Sequence, residues 1–353
     1  MVVIMKRIED LMQEPQIPPE SFFGMIDTGM TGNRTIAVIM AALELHIFDL
    51  LKKPMTIPEL ALMTRADSAT LAPFCDTLVA MDLLKRSGTR YQDTPLASTY
   101  LDAASPFSQV HYLEKNARMI EDIWNRLPDV IRSGPVAYAA GEFFPGISLR
   151  AMADNAVCGR LQATIRPIVL LPRFPRYRRM IDLGGGHGLY SIALTQQHPR
   201  LEAYVMDLPP VIPLVQEYIM AFQADRVHAI SGNFFEDPIG RDHDIIFSSS
   251  NPSGKSIDLL PEIASSLNQG GVFINVQSNR DEHRDPLLAL EWQLWTLNGG
   301  TKGADHYTKE QSFLSEEYRR ALEEQGLRIM QILDIPDNYH KNTMVKMMIA
   351  EKG

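Results

Sequence analysis

The chain has 353 residues, more than one hydrophobic core usually accommodates, so its length predicts two domains. Hydrophobic residues make up 45% and charged residues 22%, which is typical of a globular protein, and no window is apolar for long enough to span a membrane. The net charge of −9 argues against nucleic acid or an anionic membrane as the main partner.

The N-terminus and the cysteines indicate the compartment. The first residues, Met-Val-Val-Ile-Met-Lys-Arg, are not followed by the long apolar stretch of a signal peptide, so we expect none. Cys75 and Cys158 are the only cysteines and show no CxxC spacing, which predicts neither a disulfide framework nor a zinc site. We therefore expect a cytoplasmic protein that needs no metal.

The N-terminal region has the pattern of a small helical domain. Apolar residues crowd residues 35–51 on nearly all sides, which predicts a buried helix. Thr56 and Glu59 form a capping box that opens a second helix, and a third helix follows over residues 68–81. Residues 83–91 then read as a β-hairpin around a Ser-Gly turn. Three helices and a hairpin predict a winged helix.

Winged helices often bind DNA, and this function must be weighed against dimerisation. Through residue 105 the chain has 13 acidic and 9 basic residues, a net charge of −4. The basic side chains that could form a strip along the wing are few: Arg65, Lys85, Arg86 and Arg90. This balance favours dimerisation over DNA binding.

The remainder of the chain divides into two further regions. Residues 1–105 form the winged-helix-like dimerisation domain, residues 106–175 are mostly helical and should line a substrate pocket, and residues 176–353 form the last domain. Strands alternate with helices in this last domain, which predicts a parallel sheet covered on both faces. The strands are expected at residues 179–183, 202–206, 227–230, 243–249, 271–277 and 343–350.

A glycine-crowded turn follows the first of these strands. Residues 180–188 read Met-Ile-Asp-Leu-Gly-Gly-Gly-His-Gly. In a βαβ unit, such glycines let a nucleotide-type ligand approach the backbone at a helix N-terminus. A dinucleotide site would require glycine at position 189, where the chain has leucine. The spacing of Asp182, Gly184, Gly186 and Gly188 instead resembles the S-adenosylmethionine (SAM) pattern of class I methyltransferases.

An acidic residue ends the next strand. Residues 205–211 read Val-Met-Asp-Leu-Pro-Pro-Val, which places Asp207 nineteen residues after Gly188. A carboxylate at this strand end can accept hydrogen bonds from both hydroxyls of a ribose. The turn and Asp207 together predict SAM as the cofactor.

Several motifs along the chain resemble one family, the class I SAM-dependent small-molecule methyltransferases that include caffeate-type and acetylserotonin O-methyltransferases and bacterial relatives. Residues 41–49 are similar to the family's dimerisation helix, and residues 91–97 to the exit of its wing. Residues 182–186 and 207–211 match its SAM motifs. The resemblance implies an α/β fold, with a Rossmann-like SAM-binding domain after the winged helix. It also implies a homodimer in which each chain contributes residues to its partner's active site, and a small molecule as the methyl acceptor.

The same resemblance assigns the cofactor residues. Asn233 and Phe234 lie in the segment that flanks the adenine, with Asn233 where the family usually has aspartate. An amide can still bind an adenine edge, so we expect this departure to be mild. The expected SAM-binding residues are Asp182, Gly184, Gly186, Gly188, Asp207, Leu208, Asn233, Phe234 and Ser248.

One departure from the family concerns the chemistry of transfer. After its fourth strand the family usually carries His-Asp-Trp, whose histidine deprotonates the acceptor hydroxyl. Here residues 248–255 read Ser-Ser-Ser-Asn-Pro-Ser-Gly-Lys. A hydroxyl acceptor needs a base, whereas a thioether carries no proton and a thiol has a pKa of only about 8.5. We therefore expect methyl transfer to the sulfur of a small metabolite such as methylthio-hydroxybutyrate.

Two alternatives remain open. In the first, the chain is an O-methyltransferase with a relocated base, His306, assisted by its neighbour Tyr307 and oriented by Glu291. Residues 304–308 resemble the Gly-Asp-x-Tyr-Thr segment near the acceptor pocket of bacterial members. In the second, the protein binds SAM without transferring its methyl group, as some members of the family do.

Three further residues are candidates for binding the acceptor. Arg34 begins the long N-terminal helix, a region that approaches the partner's active site in this family, and could bind a substrate carboxylate with both ends of its guanidinium. Trp292 and Trp295 could form a wall of the pocket, although apolar residues at helical spacing are more often core.

Overall fold

The computed structural model describes residues 14–139, 143, 146, 148–278, 286–297, 313–336 and 345–353. The chain divides into two compact units, Met1–Ser98 and Thr99–Gly353. This division into two does not test the three regions expected from the sequence, whose boundaries stay a prediction. None of the helices within the described ranges has the length and apolar character needed to cross a membrane.

The first unit is a winged helix preceded by a long helix. Its elements are α1 (Glu20–Glu44), α2 (Ile47–Leu50), β1 (Met55–Thr56), α3 (Ile57–Thr64), α4 (Ser68–Ala80), β2 (Leu84–Ser87) and β3 (Arg90–Asp93). The three strands form an antiparallel sheet in the order β1-β3-β2. The capping box at the start of α3 is confirmed, because the backbone N–H of Thr56 donates to Glu59 Oε2 at 2.7 Å.

The expected buried helix over residues 35–51 is wrong in its bounds and its burial. Helix α1 begins fifteen residues earlier, and it ends where His46 takes a left-handed conformation with φ of 53°. Ala42 is the one buried residue of α1. Its N-terminal half instead exposes a run of large apolar side chains, which we call the α1 stripe: Phe22, Phe23, Met25, Ile26 and Met30. Apolar periodicity predicted a helix, but it does not show which apolar side chains are buried within the chain.

The second unit begins with helices and ends in a large sheet. Its elements are α5 (Pro95–Tyr100, which crosses the division), α6 (Val110–Asp122), α7 (Leu127–Ser133), β4 (Val136–Tyr138), α8 (Leu149–Asn155), α9 (Leu161–Val169), β5 (Arg179–Leu183), α10 (Leu189–Gln197), β6 (Glu202–Asp207), α11 (Ile212–Ala221), β7 (Val227–Ser231), β8 (His243–Ser249), α12 (Leu260–Ser266), β9 (Leu267–Ser278), α13 (Pro286–Gln293), β10 (Trp295–Leu297), α14 (Glu316–Glu324), β11 (Leu327–Ile335) and β12 (Val345–Lys352).

The main sheet is mixed rather than wholly parallel. Its seven strands run in the order β11-β12-β9-β8-β5-β6-β7, and the five from β9 to β7 are parallel. Strands β11 and β12 pair antiparallel at one edge, which the sequence pattern did not predict. Helices cover both faces of the sheet, and each face has its own apolar core. This arrangement brings the carboxyl ends of β5, β6, β7 and β8 to one edge, where open α/β sheets bind ligands.

The predicted strand bounds hold at the ligand-binding edge and fail elsewhere. Strands β5 and β8 match their predictions, and β6 and β7 each extend one residue further. Strand β9 begins four residues earlier than expected. Its pairing with β8 shifts register in this first part of the strand, which contains Gly270 with φ of +74°. Gly270 and Gly271 both lie within β9, whereas the predicted strand begins at Gly271.

Candidate functional site

A cavity of about 540 Å³ lies in the second unit, at the carboxyl ends of the parallel strands. The glycine turn after β5, the end of β6, the segment after β7 and the loop after β8 line one side. Residues of α8 and the turn after it line the other. This volume is within the range of small-molecule and cofactor sites.

The glycine turn brings backbone, rather than side chains, to the cavity. Gly184 and Gly186 have φ of +63° and +57°, a conformation that favours glycine. At Gly185 a Cβ would lie 2.6 Å from Val205 Cγ1 and 2.8 Å from the Asp182 carboxylate, so no side chain fits there. Gly188 lies outside the cavity lining and precedes α10 as its N-cap residue, with φ of +71°. The turn therefore offers a ligand a close approach to the N-terminus of α10.

Asp207 ends β6 and lines the cavity. Its Oδ2 accepts the backbone N–H of Gly186 at 2.8 Å, and its Oδ1 accepts that of Leu208 at 2.8 Å. Burial raises the pKa of this carboxyl, whereas the hydrogen bonds from these two N–H groups lower it. Each oxygen keeps a further lone pair, so the carboxylate can accept two hydroxyl groups of a ligand.

Asp182 also lines the cavity, but it serves the turn. It is almost wholly buried, and its Oδ2 accepts the hydroxyl of Ser191 at 2.9 Å. Burial raises the pKa of Asp182 to about 7, against the lowering effect of the Ser191 hydrogen bond, and the charge of Asp207 raises it further. Ser191 lies on α10, so this hydrogen bond ties the strand before the turn to the helix after it.

His187, inside the turn, is not suited to act as a base. It is buried, and its Nδ1 accepts the backbone N–H of Leu189 at 3.1 Å. Nδ1 is then the acceptor of a neutral ring, and the proton lies on Nε2. Burial lowers the pKa of His187 to about 4, and the charge of Arg160 lowers it further. The ring therefore stays neutral near pH 7 and presents a donor to its surroundings.

The segment after β7 provides an aromatic wall. Phe234 and Phe235 pack together with ring centroids 4.7 Å apart, and both line the cavity. Asn233 is fixed beside them, because its backbone N–H donates to Asp237 Oδ2 at 2.8 Å and its Oδ1 accepts the N–H of Phe235 at 3.1 Å. An aromatic face beside a fixed polar edge can hold a flat heterocycle.

The loop after β8 is held by an amide. The Nδ2 of Asn251 donates to the carbonyl of Leu183 at 2.6 Å, and its Oδ1 accepts the backbone N–H of Ser253 at 2.9 Å. Ser248 lies beneath the cavity rather than on its lining, fully buried, with its hydroxyl 2.7 Å from that of Ser253. The loop thus presents amide, hydroxyl and proline side chains where the family carries its histidine, and it offers no base.

Arg160 is a cavity residue that sequence reasoning missed. It follows a kink at Gly159, where φ is 125°, and its Nη2 donates to the Ser250 hydroxyl at 2.9 Å. No motif marks it in the sequence. The kink that turns it towards the strand ends depends on a glycine among helical residues, which is the one signal that could have drawn attention to it.

Three predicted acceptor residues lie apart from this cavity. Glu291 Oε2 accepts the indole N–H of Trp124 at 2.7 Å. Trp292 and Trp295 pack together at 5.1 Å, and Trp295 belongs to a small apolar cluster with Phe143. Glu291, predicted to orient the base, and Trp292 and Trp295, predicted to wall the acceptor pocket, are therefore not among the described residues that line the large cavity.

The remaining predicted residues are placed as follows. Arg34 lies on α1 of the first unit, with an exposed side chain. His306 and Tyr307 lie outside the described residues. Seven of the nine predicted cofactor residues line the large cavity: Asp182, Gly184, Gly186, Asp207, Leu208, Asn233 and Phe234.

Two family models match the chain and together cover more than half of it. The O-methyltransferase dimerisation domain matches residues 29–103, and the O-methyltransferase domain matches residues 156–326. An uncharacterized protein of Methanocaldococcus jannaschii is 30% identical, over 93% of this chain and 90% of its own length. Acetylserotonin O-methyltransferase of Macaca mulatta is 29% identical, over 74% of this chain and 81% of its own length.

Solved structures share the fold over nearly the whole chain. Human N-acetylserotonin methyltransferase, whose crystal structure is a complex with SAM, superposes with a TM-score of 0.68. The superposition covers 97% of this chain and 99% of the human one, at 22% sequence identity. At that identity the likeness concerns the fold.

Proposed function

Because this chain belongs to the SAM-dependent O-methyltransferase family that carries a dimerisation domain, we propose that it transfers the methyl group of SAM to a small molecule, with a thioether or thiol sulfur as the favoured acceptor. The observation that supports this choice of acceptor is that the only histidine lining the described part of the cavity, His187, is neutral, buried and unsuited to act as a base.

The cofactor's place follows from the strand ends. We propose that Phe234 and Asn233 hold the adenine and that the Asp207 carboxylate accepts both ribose hydroxyls. The methionyl part then extends past the glycine turn, towards the end of β8. Methyl transfer is an in-line displacement, so the main task of the protein is to align the acceptor with the sulfonium carbon.

The carboxylates and the histidine that line the described cavity are engaged, unsuited to take a proton, or placed at the proposed adenine end, where Asp207 is assigned to the ribose and Glu236 is exposed. Asp182 accepts the Ser191 hydroxyl, and His187 accepts the Leu189 N–H. The loop after β8 offers Ser250 and Asn251, which do not act as bases near pH 7. A thioether attacks with a sulfur lone pair and releases no proton, so this cavity can serve it unaided.

Oxygen is the second candidate acceptor, and the relatives favour it. The acetylserotonin enzyme of Macaca mulatta is named for an oxygen acceptor. In that case this chain needs a base from beyond the described cavity, and His306 remains our candidate, with Tyr307 beside it. Glu291 is less suited to orient it, since its carboxylate already binds Trp124.

We also propose a homodimer. The α1 stripe exposes five large apolar side chains, each between 39% and 64% accessible in the single chain, within and just before the region matched by the dimerisation domain. Burying them against a second copy would remove apolar surface from water. Arg34 lies on the same helix and keeps its proposed role in binding the acceptor.

Release of S-adenosylhomocysteine (SAH) from SAM, with two sets of acceptors, tests the proposed function. One set contains 4-methylthio-2-hydroxybutyrate and simple thiols, and the other contains catechols and hydroxyindoles. We expect turnover with the sulfur set. Turnover confined to the hydroxyl set would overturn the sulfur proposal, and SAM binding without SAH release from any acceptor would contradict methyl transfer itself.

The variant His306→Ala separates the two acceptors. With a sulfur acceptor we expect its rate to equal that of the wild type. With a hydroxyl acceptor we expect a loss of about 100-fold or more, the usual contribution of a general base. His228→Ala is the matched control, because His228 is exposed and pairs with Glu202, away from the cavity.

A further inference from the structure

Arg160 and Arg150 lie in consecutive helical segments but differ in whether a carboxylate pairs with them. Arg150, on α8, forms a bidentate ion pair with Glu217, with N–O distances of 2.8 and 2.6 Å. Arg160 has no carboxylate partner among the described residues. Its Nη2 donates to a neutral hydroxyl, Ser250, at 2.9 Å. A guanidinium in a partly closed site is therefore left without a counter-ion.

The surroundings of Arg160 keep part of it from water. Its Nε is buried and has no hydrogen-bond partner within the described part of the chain. Leaving such a donor unpaired costs free energy, more so when the group is charged. A carboxylate that entered the cavity could accept hydrogen bonds from the guanidinium and supply the missing negative charge.

The other carboxylates that line the described cavity, Asp182, Asp207 and Glu236, form no ion pair with Arg160. Asp182 and Asp207 already accept hydrogen bonds from Ser191, Gly186 and Leu208. Burial lowers the pKa of the nearby His187, and the positive charge of Arg160 lowers it further. The site is thus arranged to accept an anion at Arg160.

A second open group lies on the same wall. Asn155 ends α8 and lines the cavity, and its buried Oδ1 has no hydrogen-bond partner among the described residues. The wall therefore offers a cationic donor and, five residues earlier in the chain, a free acceptor. Ligands with a carboxylate beside a hydroxyl or ammonium group would satisfy both.

We propose that Arg160 binds a carboxylate in the large cavity, at the end away from the adenine. The assignment rests on the proposed function, because it takes the cavity as the SAM site. Strand order supports the placement: β7 and β6 lie on one side of the glycine turn, and β8, whose loop contacts Arg160, lies on the other. The carboxylate belongs either to the methionyl group of SAM or to the acceptor.

Calorimetric titration of Arg160→Gln distinguishes the two sources. The first arm compares SAH with 5′-methylthioadenosine, which keeps the adenosine and the sulfur but has no carboxylate. The second arm uses protein saturated with SAH and compares 4-methylthio-2-hydroxybutyrate with its uncharged amide. The matched control is Arg166→Gln, which removes the same charge from an exposed position on α9.

If the carboxylate is that of the cofactor, Arg160→Gln weakens SAH by about tenfold or more and leaves 5′-methylthioadenosine unchanged. If it is that of the acceptor, SAH affinity is kept and the preference for the hydroxybutyrate over its amide disappears. Arg160→Lys keeps the charge without the two-pronged geometry, so it should show a smaller loss of the same kind and also serves if the glutamine variant does not fold.

Two results overturn the assignment. One is a variant that matches Arg166→Gln in both arms, and the other is an equal loss for SAH and 5′-methylthioadenosine, which would reflect a damaged cavity. Failure of the proposed function looks different: if the cavity were not the SAM site, the wild-type protein would bind neither adenosyl compound, and if methyl transfer failed, it would bind SAH without turning over SAM with any acceptor.

Discussion

The two ends of the large cavity are built in different ways. At the cofactor end, the turn after β5 and the end of β6 offer backbone amides and one carboxylate, Asp207, with lone pairs left for a ligand. At the other end, the polar groups of Asn251 and the serines around it form hydrogen bonds with one another and with the end of β5. The first end offers the glycine turn and Asp207 to a ligand, whereas at the second end the loop after β8 mainly provides shape, and the proposed ligand-binding groups, Arg160 and Asn155, lie on the wall formed by α8 and the segment after it. This difference explains why the cofactor could be inferred while the acceptor could not.

The largest expected effect is at the cofactor end. Asp207→Ala removes the proposed acceptor of both ribose hydroxyls and a brace for the glycine turn, so we expect SAH affinity to fall by about 100-fold or more. Calorimetry measures it, with Asp225→Ala as the control, because Asp225 is exposed beyond α11. An unchanged affinity would place the cofactor elsewhere.

The second prediction concerns the buried carboxyl under the same turn. The pKa of Asp182 is raised to about 7 in the folded protein, from an unfolded value of 3.8. Its contribution to stability is therefore complete below about pH 4, declines as the pH rises, and is lost above about pH 7. Asp182→Asn stays neutral and escapes this decline.

The variant Asp182→Asn should thus gain stability relative to the wild type between about pH 4 and 7, by on the order of a few kcal/mol. Urea unfolding at a series of pH values measures the difference. Parallel profiles for the two proteins would show that Asp182 is ionised in the fold and would remove it as a neutral brace.

A smaller effect is expected at the other end of the cavity. Asn251→Ala deletes the hydrogen bonds that fix the loop after β8, and we expect a loss of about 1–3 kcal/mol in the free energy of unfolding. Affinity for SAH should change little by comparison with Asp207→Ala. A loss of cofactor binding as large as that of Asp207→Ala would mean that the loop after β8 holds the cofactor as firmly as the end of β6 does, and the contrast between them would fail.

The smallest effect tests the contact of Arg160. Ser250→Ala removes one neutral hydroxyl from the guanidinium, and we expect a change of less than about tenfold in SAH affinity. The same titration measures it. A loss of about tenfold or more would show that Ser250, rather than the arginine, provides the binding.

The sequence predicted what depends on short stretches of chain. The residues that line the cofactor end follow one another closely around Gly184 and Asp207, and strand ends of a parallel sheet meet by topology. The capping box of α3 was predictable for the same reason, since its partners are three residues apart.

The features that the sequence did not predict depend on contacts between distant parts of the chain. Strand β12 pairs antiparallel with β9, which lies far earlier in the chain, and hydrophobic patterning gives no pairing direction. The separation of Trp295 from the large cavity arises from packing on Phe143, which no local pattern reveals. Arg160 reaches the cavity through a kink at Gly159, and its missing counter-ion is a property of tertiary contacts alone.

The measurement that tests the central claim most directly is the rate of methyl transfer to 4-methylthio-2-hydroxybutyrate at saturating SAM, from about pH 6 to about pH 9. The account predicts SAH formation at a rate that is flat over this range, because the sulfur acceptor releases no proton and His187 is already neutral. No transfer to this sulfur, together with transfer to a hydroxyl acceptor at a rate that rises through a pKa near 7, would contradict it.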